Sequence, residues 1–408
     1  MLAGVQFTHI LDFMIIMPLG SQLMRAFAVS PTKFSWLVAA YALSAAITGF
    51  LGGFILDRFE RKHALLTLYA GFVLATLACA LAPTFWALLA ARIAAGACGG
   101  VAGSIVTAMV GDVIPPERRG RAMGTVMAAF PLASVLGVPF GITLAGWFEW
   151  HAPFFLLAGL SAAVWVTAFK VLPVVVIERH AGSAWRQMSA ILRHPVHQRA
   201  FALSGMLVFG GGLIIPFMAP TMVANVGLTE QQLPWIYLCG GACTFFTVPW
   251  FGRLSDRYDK LHVLFAISIL GAVSVLFLTN LPPWPVPAVL VFSTVFFVGM
   301  SGRYSPAMAM ITNAVEARYR GGFMSVSSSL QQACGGLANL TVGALVTANA
   351  GSGRIEGFPR AGYLAVGAFA ATVWLARRLR HIAPHAARTL VPPGAVIPPP
   401  TSPHPAGR

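Results

Sequence analysis

Stretches of about 20 largely apolar residues recur along the whole chain, and they constrain its fold more than any other feature. Each stretch is long enough to cross a hydrocarbon core of roughly 30 Å as a helix. A chain with 57% hydrophobic and only 10% charged residues also has too few polar groups to cover a water-soluble surface. We count twelve spans: 5–27, 34–56, 64–82, 84–110, 122–146, 152–174, 200–224, 232–252, 261–280, 285–312, 322–348 and 360–377. The sequence therefore predicts an all-α membrane protein with twelve transmembrane helices.

The 27 Lys and Arg residues are divided very unequally between the two sides of these spans. Segments on the side of the two termini carry 21, and loops on the opposite side carry four. The positive-inside rule then places both termini in the cytoplasm, in a multi-pass protein of the cytoplasmic (inner) membrane. Topology and contact with the anionic lipid bilayer explain the net charge of +15, so no nucleic acid partner is expected.

A charged motif at the end of span 2 recurs at the end of span 8, 199 residues later. The two copies, "GGFILDRFERK" and "FGRLSDRYDK", contain Gly53, Asp57, Arg58, Arg61 and Lys62, and Gly252, Asp256 and Arg257. A second pair of motifs, around Arg119 and Arg320, recurs at an offset of 201 residues. Two unrelated motifs with nearly one spacing predict two parallel six-helix pseudo-repeat bundles.

The repeat divides the chain into four predicted regions. They are an N-terminal six-helix bundle (1–174), a cytoplasmic linker (175–199), a C-terminal six-helix bundle (200–380) and a disordered, Pro-rich cytoplasmic tail (381–408). Within the linker, "SAWRQMSAILRH" has the spacing of an amphipathic helix that lies on the cytoplasmic surface.

The repeated motif has the chemistry of a latch that forms in one conformation and opens in another. Gly53 lets a second helix approach closely, and Asp57 can accept hydrogen bonds from a helix N-terminus or a basic side chain. Because water reaches such a contact, it breaks at modest cost. The alternative interpretation is that these are ordinary loop charges, and the recurrence of Gly, Asp and Arg in both halves weighs against it.

Ionisable residues inside the spans are candidates for function, because burying them in a membrane is costly. His9 and Asp12 are three residues apart and share a face of span 1. Burial favours the protonated form of a carboxyl group, so Asp12 is a candidate proton carrier that His9 tunes or relays to. The alternative is a hydrogen-bonded polar pair without a transport role. Arg92 must face a partner or water, and its alternative role is to cap carbonyl groups.

Over nearly its whole length, the sequence resembles the major facilitator superfamily of transporters. "GGFILDRFERK" resembles the loop 2–3 signature, with Glu60 where Gly is usual, and "ARIAAGACGG" resembles the span 4 motif that contains Arg92. "ASVLGVPFGITLAGW" is similar to span 5 of the drug:proton antiporter and sugar-efflux branch, with Gly137-Val138-Pro139 in place of Gly-Pro, and it includes Gly141.

The resemblance implies a monomer whose two bundles rock about a central cavity. It also implies that Asp57 and Arg58 help to lock the outward-facing state, that Asp112 joins their charge network, and that Arg92 takes part in proton coupling. The repeat-mate of Asp112 is Asn313, so the second latch is expected to be weaker.

Further residues are candidates for the cavity or for gating. They are Tyr41, Phe130, Pro216, Arg303 and Tyr304, together with Gly137, Pro139 and Gly141 of the span 5 motif. Glycines and prolines in span 7 are expected to kink that helix. For the aromatic residues, packing between helices is the alternative.

The preferred functional hypothesis is proton-coupled efflux of a small drug-like or sugar-like molecule by alternating access. A facilitator or a proton symporter for a small metabolite is the alternative, and a non-transporting receptor or assembly factor is a third. No enzyme is expected, because nucleophile and phosphate-binding motifs are absent from the sequence. The five cysteines lie in apolar spans, so no metal or other cofactor is expected.

Overall fold

The structure, a computed structural model, describes residues 1–55, 59–172, 184–349, 351 and 353–387, and nearly all of them are helical. The predicted latch residues Asp57 and Arg58 lie outside the described residues. So do most of the predicted linker, from 173 to 183, and the tail from 388 onward.

The first half of the described chain forms six helical spans. They are α1 (Leu2–Ile15) with α2 (Gly20–Ala26), then α3 (Pro31–Ile55), α4 (Arg61–Ala80) and α5 (Phe85–Val113), followed by a segmented span of α6 (Pro116–Met127), α7 (Ala129–Leu132), a π-helix (Ala133–Gly137) and α8 (Val138–Phe148), and finally α9 (Ala152–Val171).

The second half repeats this order after a linker helix. Its elements are α10 (Ala184–Arg193), α11 (Pro195–Gly212) with α12 (Ile215–Thr221) and a π-helix (Met222–Val226), α13 (Leu233–Arg257), α14 (Lys260–Thr279), α15 (Val286–Gly302) with α16 (Tyr304–Ala314), α17 (Arg320–Leu345) and α18 (Phe358–Ile382). Short 3₁₀ turns cover Glu230–Gln232, Ala317–Tyr319 and Pro384–Ala386. Strands β1 (Thr347–Ala348) and β2 (Ile355–Glu356) form a small antiparallel hairpin before α18.

Among the described residues, eight helical spans are long and apolar enough to cross a membrane, and the bent pair α1 and α2 makes nine. Three further long helices, α13, α17 and α18, complete twelve spans. These three are less apolar because charged or polar residues occupy part of their length. The twelve-span, all-α prediction therefore agrees with the structure, whereas the domain boundaries at 174, 199 and 380 stay predictions.

Prolines account for the breaks within three spans. The axes of α1 and α2 differ by 60°, and Pro18, which lies between them, cannot donate a backbone hydrogen bond to Met14. In the same way Pro216 follows the break between α11 and α12, so the predicted kink of span 7 is confirmed. Pro306 cannot donate to the carbonyl of Gly302, and span 10 is broken between α15 and α16.

The two halves share a hydrophobic core at one end of the molecule only. We call this the opposite end, because Met1 and Ala387 pack into separate clusters at the other, terminal end. At the opposite end Leu23 of α2 and Phe217 of α12 belong to one buried cluster. The ring of Phe34 meets that of Phe217 edge-on, with centroids 5.7 Å apart. The halves are therefore joined at the opposite end, and each has its own core at the terminal end.

The predicted amphipathic linker helix is observed as α10, and its apolar side faces protein. Met188 and Ile191 are buried in the hydrophobic cluster of the second half. Gly322 of α17 makes room for Ile191, since a Cβ atom at Gly322 would lie 2.7 Å from Cδ1 of Ile191. This helix therefore covers the terminal end of the second half.

Candidate functional site: two buried arginines and a closed end

A fully buried ion pair lies inside the first half, where α1 meets α5. Nη1 of Arg92 donates to Oδ2 of Asp12 at 2.8 Å and to the backbone carbonyl of Asp12 at 3.1 Å. Both side chains have no exposed surface. The structure thus brings together two of the three predicted proton-coupling residues, which are 80 positions apart in the chain.

Glycines on α5 make this pairing possible. A Cβ atom at Gly100 would lie 2.6 Å from Cβ of Ala45, and one at Gly96 would collide with the backbone carbonyl of Tyr41. Without side chains at these positions, α5 and α3 pack backbone to backbone. This close packing places Arg92 against Tyr41, whose ring centroid lies 4.4 Å from Cζ of the guanidinium.

Tyr41 connects His9 to the ion pair. The Tyr41 hydroxyl and Nδ1 of His9 are 2.6 Å apart, and the two rings are stacked. Phe72 of α4 closes the site from another side, with its ring edge-on to His9. The sequence predicted His9, Asp12 and Arg92 as a functional group and named Tyr41 separately as a cavity residue. In the structure Tyr41 is wholly buried and belongs to this group.

The ion pair uses only part of its hydrogen-bonding capacity. Within the described part of the chain, Oδ1 of Asp12 and Nε and Nη2 of Arg92 have no hydrogen-bond partner. An arginine and a carboxylate can form two parallel hydrogen bonds, and here they form one between their side chains. Asp12 therefore keeps a free oxygen that can accept a proton or a hydrogen bond from a ligand.

A second arginine is buried in the other half, at the break in span 10. Arg303 is 0% exposed, and its Cζ atom lies 3.4 Å from the centroid of the Phe369 ring. Nη2 lies 3.2 Å from the sulfur of Met300. Its neighbour Tyr304 is partly exposed, and its hydroxyl donates to Oε1 of Gln331 at 2.9 Å. Only Tyr304 of this predicted pair therefore faces an open space.

The span 5 candidates mainly pack against span 1. A Cβ atom at Gly137 would lie 2.8 Å from Cδ1 of Leu11, and one at Gly141 would collide with Ile15. Pro139 is buried in the first turn of α8. These residues support the helix that carries Asp12. Of the remaining cavity candidates, Phe130 is 54% exposed and Pro216 is buried.

The first copy of the predicted latch is described only in part. Gly53 lies in the last turn of α3, and Arg61 and Lys62 begin α4. The Glu60 side chain caps α4 by accepting from the backbone nitrogens of Lys62 and His63. Asp112 lies near the end of α5. Asp57 and Arg58 lie outside the described residues, so the latch stays a prediction.

The second copy uses a different acid from the one predicted. Asp256 and Arg257 are exposed at the end of α13, and the described residues include no ion pair of Asp256. The next acid, Asp259, accepts from the backbone nitrogen of Leu261 at the start of α14 and pairs with Arg380 at 3.3 Å. Its position directly before a helix was the available signal. Gly252 lies in close contact with Ser305, where a Cβ atom would be 3.4 Å from Oγ.

A polar contact closes the opposite end, and the sequence analysis missed it. Glu230 accepts hydrogen bonds from Arg25 and, at 2.9 Å, from Nε2 of Gln22. Beneath it, a Cβ atom at Gly20 would lie 2.7 Å from Pro220. The signal was the scarcity of acids on this side of the membrane. Together with the shared core, these contacts join the two halves at the opposite end.

The residues that match a known family extend over both halves. The model of the Major Facilitator Superfamily matches residues 2–212 and again 200–403. The chain belongs to this superfamily. Proteins of the major facilitator superfamily are secondary transporters of small molecules, so this chain is a membrane carrier and not an enzyme.

Relatives and solved structures agree with this family. An uncharacterized MFS-type transporter of Bacillus subtilis, YceJ, is 26% identical over 360 residues, which cover 87% of this chain and 90% of the relative. A probable sugar efflux transporter of Helicobacter pylori strain G27 is 25% identical over 251 residues, or 60% of this chain and 63% of that protein.

Two crystal structures share the fold. A D-xylose–proton symporter superposes with a TM-score of 0.74 at 16% identity, covering 95% of this chain and 98% of its own. A bacterial homologue of the human lysosomal transporter Spinster has a TM-score of 0.73 at 14% identity, covering 96% and 97%. The prediction of a twelve-helix major facilitator fold is therefore confirmed.

Proposed function

We propose that this transporter couples proton movement to the efflux of a small molecule across the cytoplasmic membrane by alternating access. The observation that carries the proposal is the buried pair of Asp12 and Arg92, in which one carboxylate oxygen has no partner. A carboxyl group in such a place exists either as an anion held by the arginine or as a neutral acid. The pair is therefore a switch that one proton can operate.

Protonation changes the forces on Arg92. The guanidinium keeps its charge, and its bond to Asp12 weakens once the carboxyl is neutral. Arg92 can then turn toward another acceptor, and α1 and α5 are free to shift relative to each other. The hydroxyl of Tyr41 and the ring of His9 lie beside this switch and provide a route for the proton.

Gradients supply enough energy for this coupling. One proton moving across 100 mV contributes about 2.3 kcal/mol, and a tenfold pH difference adds roughly 1.4 kcal/mol. That is sufficient for uphill export when proton binding and substrate binding are linked. The expected partners are protons, one small substrate and the lipid bilayer, and the proposed functional unit is a monomer.

The substrate class rests on similarity and is proposed accordingly. Drug-like and sugar-like molecules are both candidates, because the relatives in Helicobacter pylori are named sugar efflux transporters. Span 5 carries the Gly and Pro pattern that resembles the drug and sugar efflux branch.

The closed opposite end favours an inward-facing conformation. The 21 basic residues on the side of the termini place that side in the cytoplasm. The opposite end, where Arg25 meets Glu230, is then the outer gate. Thiol labelling tests this orientation: a Thr84→Cys variant should react with an impermeant reagent from outside intact cells, and an Arg318→Cys variant should not. The reverse pattern would overturn the orientation.

A facilitator or a proton symporter is the second candidate. It is favoured by the same free oxygen of Asp12, which could accept a hydrogen bond from the substrate in place of a proton. In this case Asp12 would be a binding residue, and its replacement would weaken substrate affinity at every pH.

Flux into proteoliposomes distinguishes these functions. The purified protein is reconstituted, a pH gradient of either sign is imposed, and a panel of dyes, sugars and amino acids is offered. Antiport predicts that substrate accumulates on the acidic side, and symport predicts accumulation on the alkaline side. Asp256→Asn, which changes an exposed carboxylate, is the matched control for Asp12→Asn. Flux that reaches the same final distribution with and without the gradient would overturn proton coupling.

A further inference from the structure

Arg303 is a buried cation for which the chain provides no buried counter-charge. The second half contains five acids between residues 200 and 380: Glu230, Asp256, Asp259, Glu316 and Glu356. Each lies in a loop, a short turn, the hairpin or the last turn of a helix, whereas Arg303 lies within span 10. A charge removed from water without a partner is strongly destabilising.

The surroundings of Arg303 satisfy only one face of the guanidinium. The Phe369 ring covers that face at 3.4 Å, and Nη2 contacts the sulfur of Met300. In the described part of the chain, Nε and Nη1 have no acceptor and no access to solvent. A ring can stabilise the cation but cannot accept the hydrogen bonds that lie in the plane of the guanidinium. Two parallel N–H donors are therefore available to a ligand.

The break in span 10 adds a second positive feature at the same place. Arg303 is the residue directly before α16, which has 11 residues. The first turn of a helix has unpaired N–H groups and the positive end of the helix dipole, and both favour an anion. Pro306 causes the break, so the feature is encoded in the sequence.

We propose that Arg303 and the start of α16 bind a small anion inside the second half. The ligand is a monovalent halide or a carboxylate, either free in solution or carried by the transported substrate. A large anion does not fit between these helices, because Gly299 and Gly271 bring α15 and α14 together. A Cβ atom at Gly299 would lie 3.0 Å from Cα of Gly271. This site is separate from the proton switch, and it does not depend on the direction of transport.

Thermal unfolding of the detergent-purified, full-length protein tests the proposal. Chloride or formate replaces the bulky sulfonate anion of sodium HEPES at constant sodium concentration. We expect the unfolding temperature of the parent to rise with chloride or formate and then to saturate. Arg303→Met removes the charge and keeps an apolar side chain of similar length, so it should reduce the apparent anion affinity at least ~10-fold, as expected for loss of a charge-assisted hydrogen bond.

Two controls make the result interpretable. Arg303→Met should be at least as stable as the parent in HEPES alone, because it removes an unpaired buried charge. Arg318→Gln removes an exposed arginine that pairs with Glu316 over 2.7 Å, and it should retain the full response to chloride.

The two sources of the anion are distinguished by a matched pair of sugars. Stabilisation of the parent by chloride or formate alone identifies a free anion. Stabilisation by glucuronate and not by glucose, lost in Arg303→Met, identifies a carboxylate carried by the substrate. An equal response of the parent and Arg303→Met to every anion would overturn the proposal, and so would a parent that responds to none.

Discussion

The two halves of the molecule each bury an arginine, and they treat it differently. Arg92 is paired with Asp12 and lies over Tyr41, whereas Arg303 lies over Phe369 and has no carboxylate beside it. A proton can neutralise Asp12 and so change the environment of Arg92. Arg303 has no such partner, and only a ligand can compensate its charge. The comparison assigns the proton to the first half and the anion to the second.

The largest effect is expected from breaking the ion pair. Asp12→Ala leaves Arg92 buried without a counter-charge, which should lower the free energy of unfolding by about 3–5 kcal/mol. The double variant Asp12→Ala with Arg92→Met should recover most of that loss, because neither charge remains. Unfolding in detergent, followed by intrinsic fluorescence, measures both. An Asp12→Ala variant as stable as the parent would show that the two arginines are equivalent.

Changing the shape of the cation without its charge should have the next largest effect. Arg92→Lys loses the forked donors and should reduce pH-driven accumulation roughly tenfold, as expected for one charge-assisted hydrogen bond. Arg253→Lys, an exposed position on α13, is the matched control. Full accumulation by Arg92→Lys at equal protein levels would mean that only the charge matters.

Removing a single hydroxyl should have a moderate effect that again differs between the halves. Tyr41→Phe keeps the ring over Arg92 and loses the bond to His9, which should cost about 1 kcal/mol of stability. The pH dependence of transport should also change, because His9 loses its connection to the switch. Tyr304→Phe is the counterpart in the second half and should have a smaller effect, since Tyr304 bonds an exposed glutamine. Equal losses in both variants would contradict the special role of Tyr41.

The smallest effect is expected at the closed end. The side chains of Arg25 and Glu230 are 61% and 24% exposed, and exposed ion pairs contribute about 0.2–1 kcal/mol. Glu230→Gln should therefore increase opening of this end by no more than ~5-fold. The labelling rate of a Ser21→Cys variant by a water-soluble thiol reagent reports the opening. Glu316→Gln, which breaks an exposed pair at the other end, is the control. A change larger than the one caused by Asp12→Ala would reverse the order proposed here.

Local sequence patterns predicted the spans and the candidate charges well. Each span is a continuous apolar run, and His9 and Asp12 are close enough in sequence to share a helix face. Arg92 and Arg303 stood out because few ionisable residues occur inside the spans. These features depend on neighbouring residues only, so the sequence contains them directly.

Pairing between distant residues could not be predicted in the same way. Asp12 meets Arg92 because Gly96 and Gly100 bring α5 against α3, and this depends on the packing of whole helices. The sequence likewise pointed to Asp256, whereas the observed partner of Arg380 is Asp259, one helical turn away. A shift of one turn leaves the motif recognisable and changes which charge is within reach.

The central claim is that Asp12 carries the proton that is exchanged for substrate, and proton release measures this directly. A substrate found in the proteoliposome panel is added to weakly buffered, detergent-solubilised protein, and the change in pH is recorded. The account predicts that the parent releases protons when substrate binds, that Asp256→Asn releases as many, and that Asp12→Asn releases none while still binding substrate. Equal release by Asp12→Asn and the parent would contradict the account, because another residue would then carry the proton.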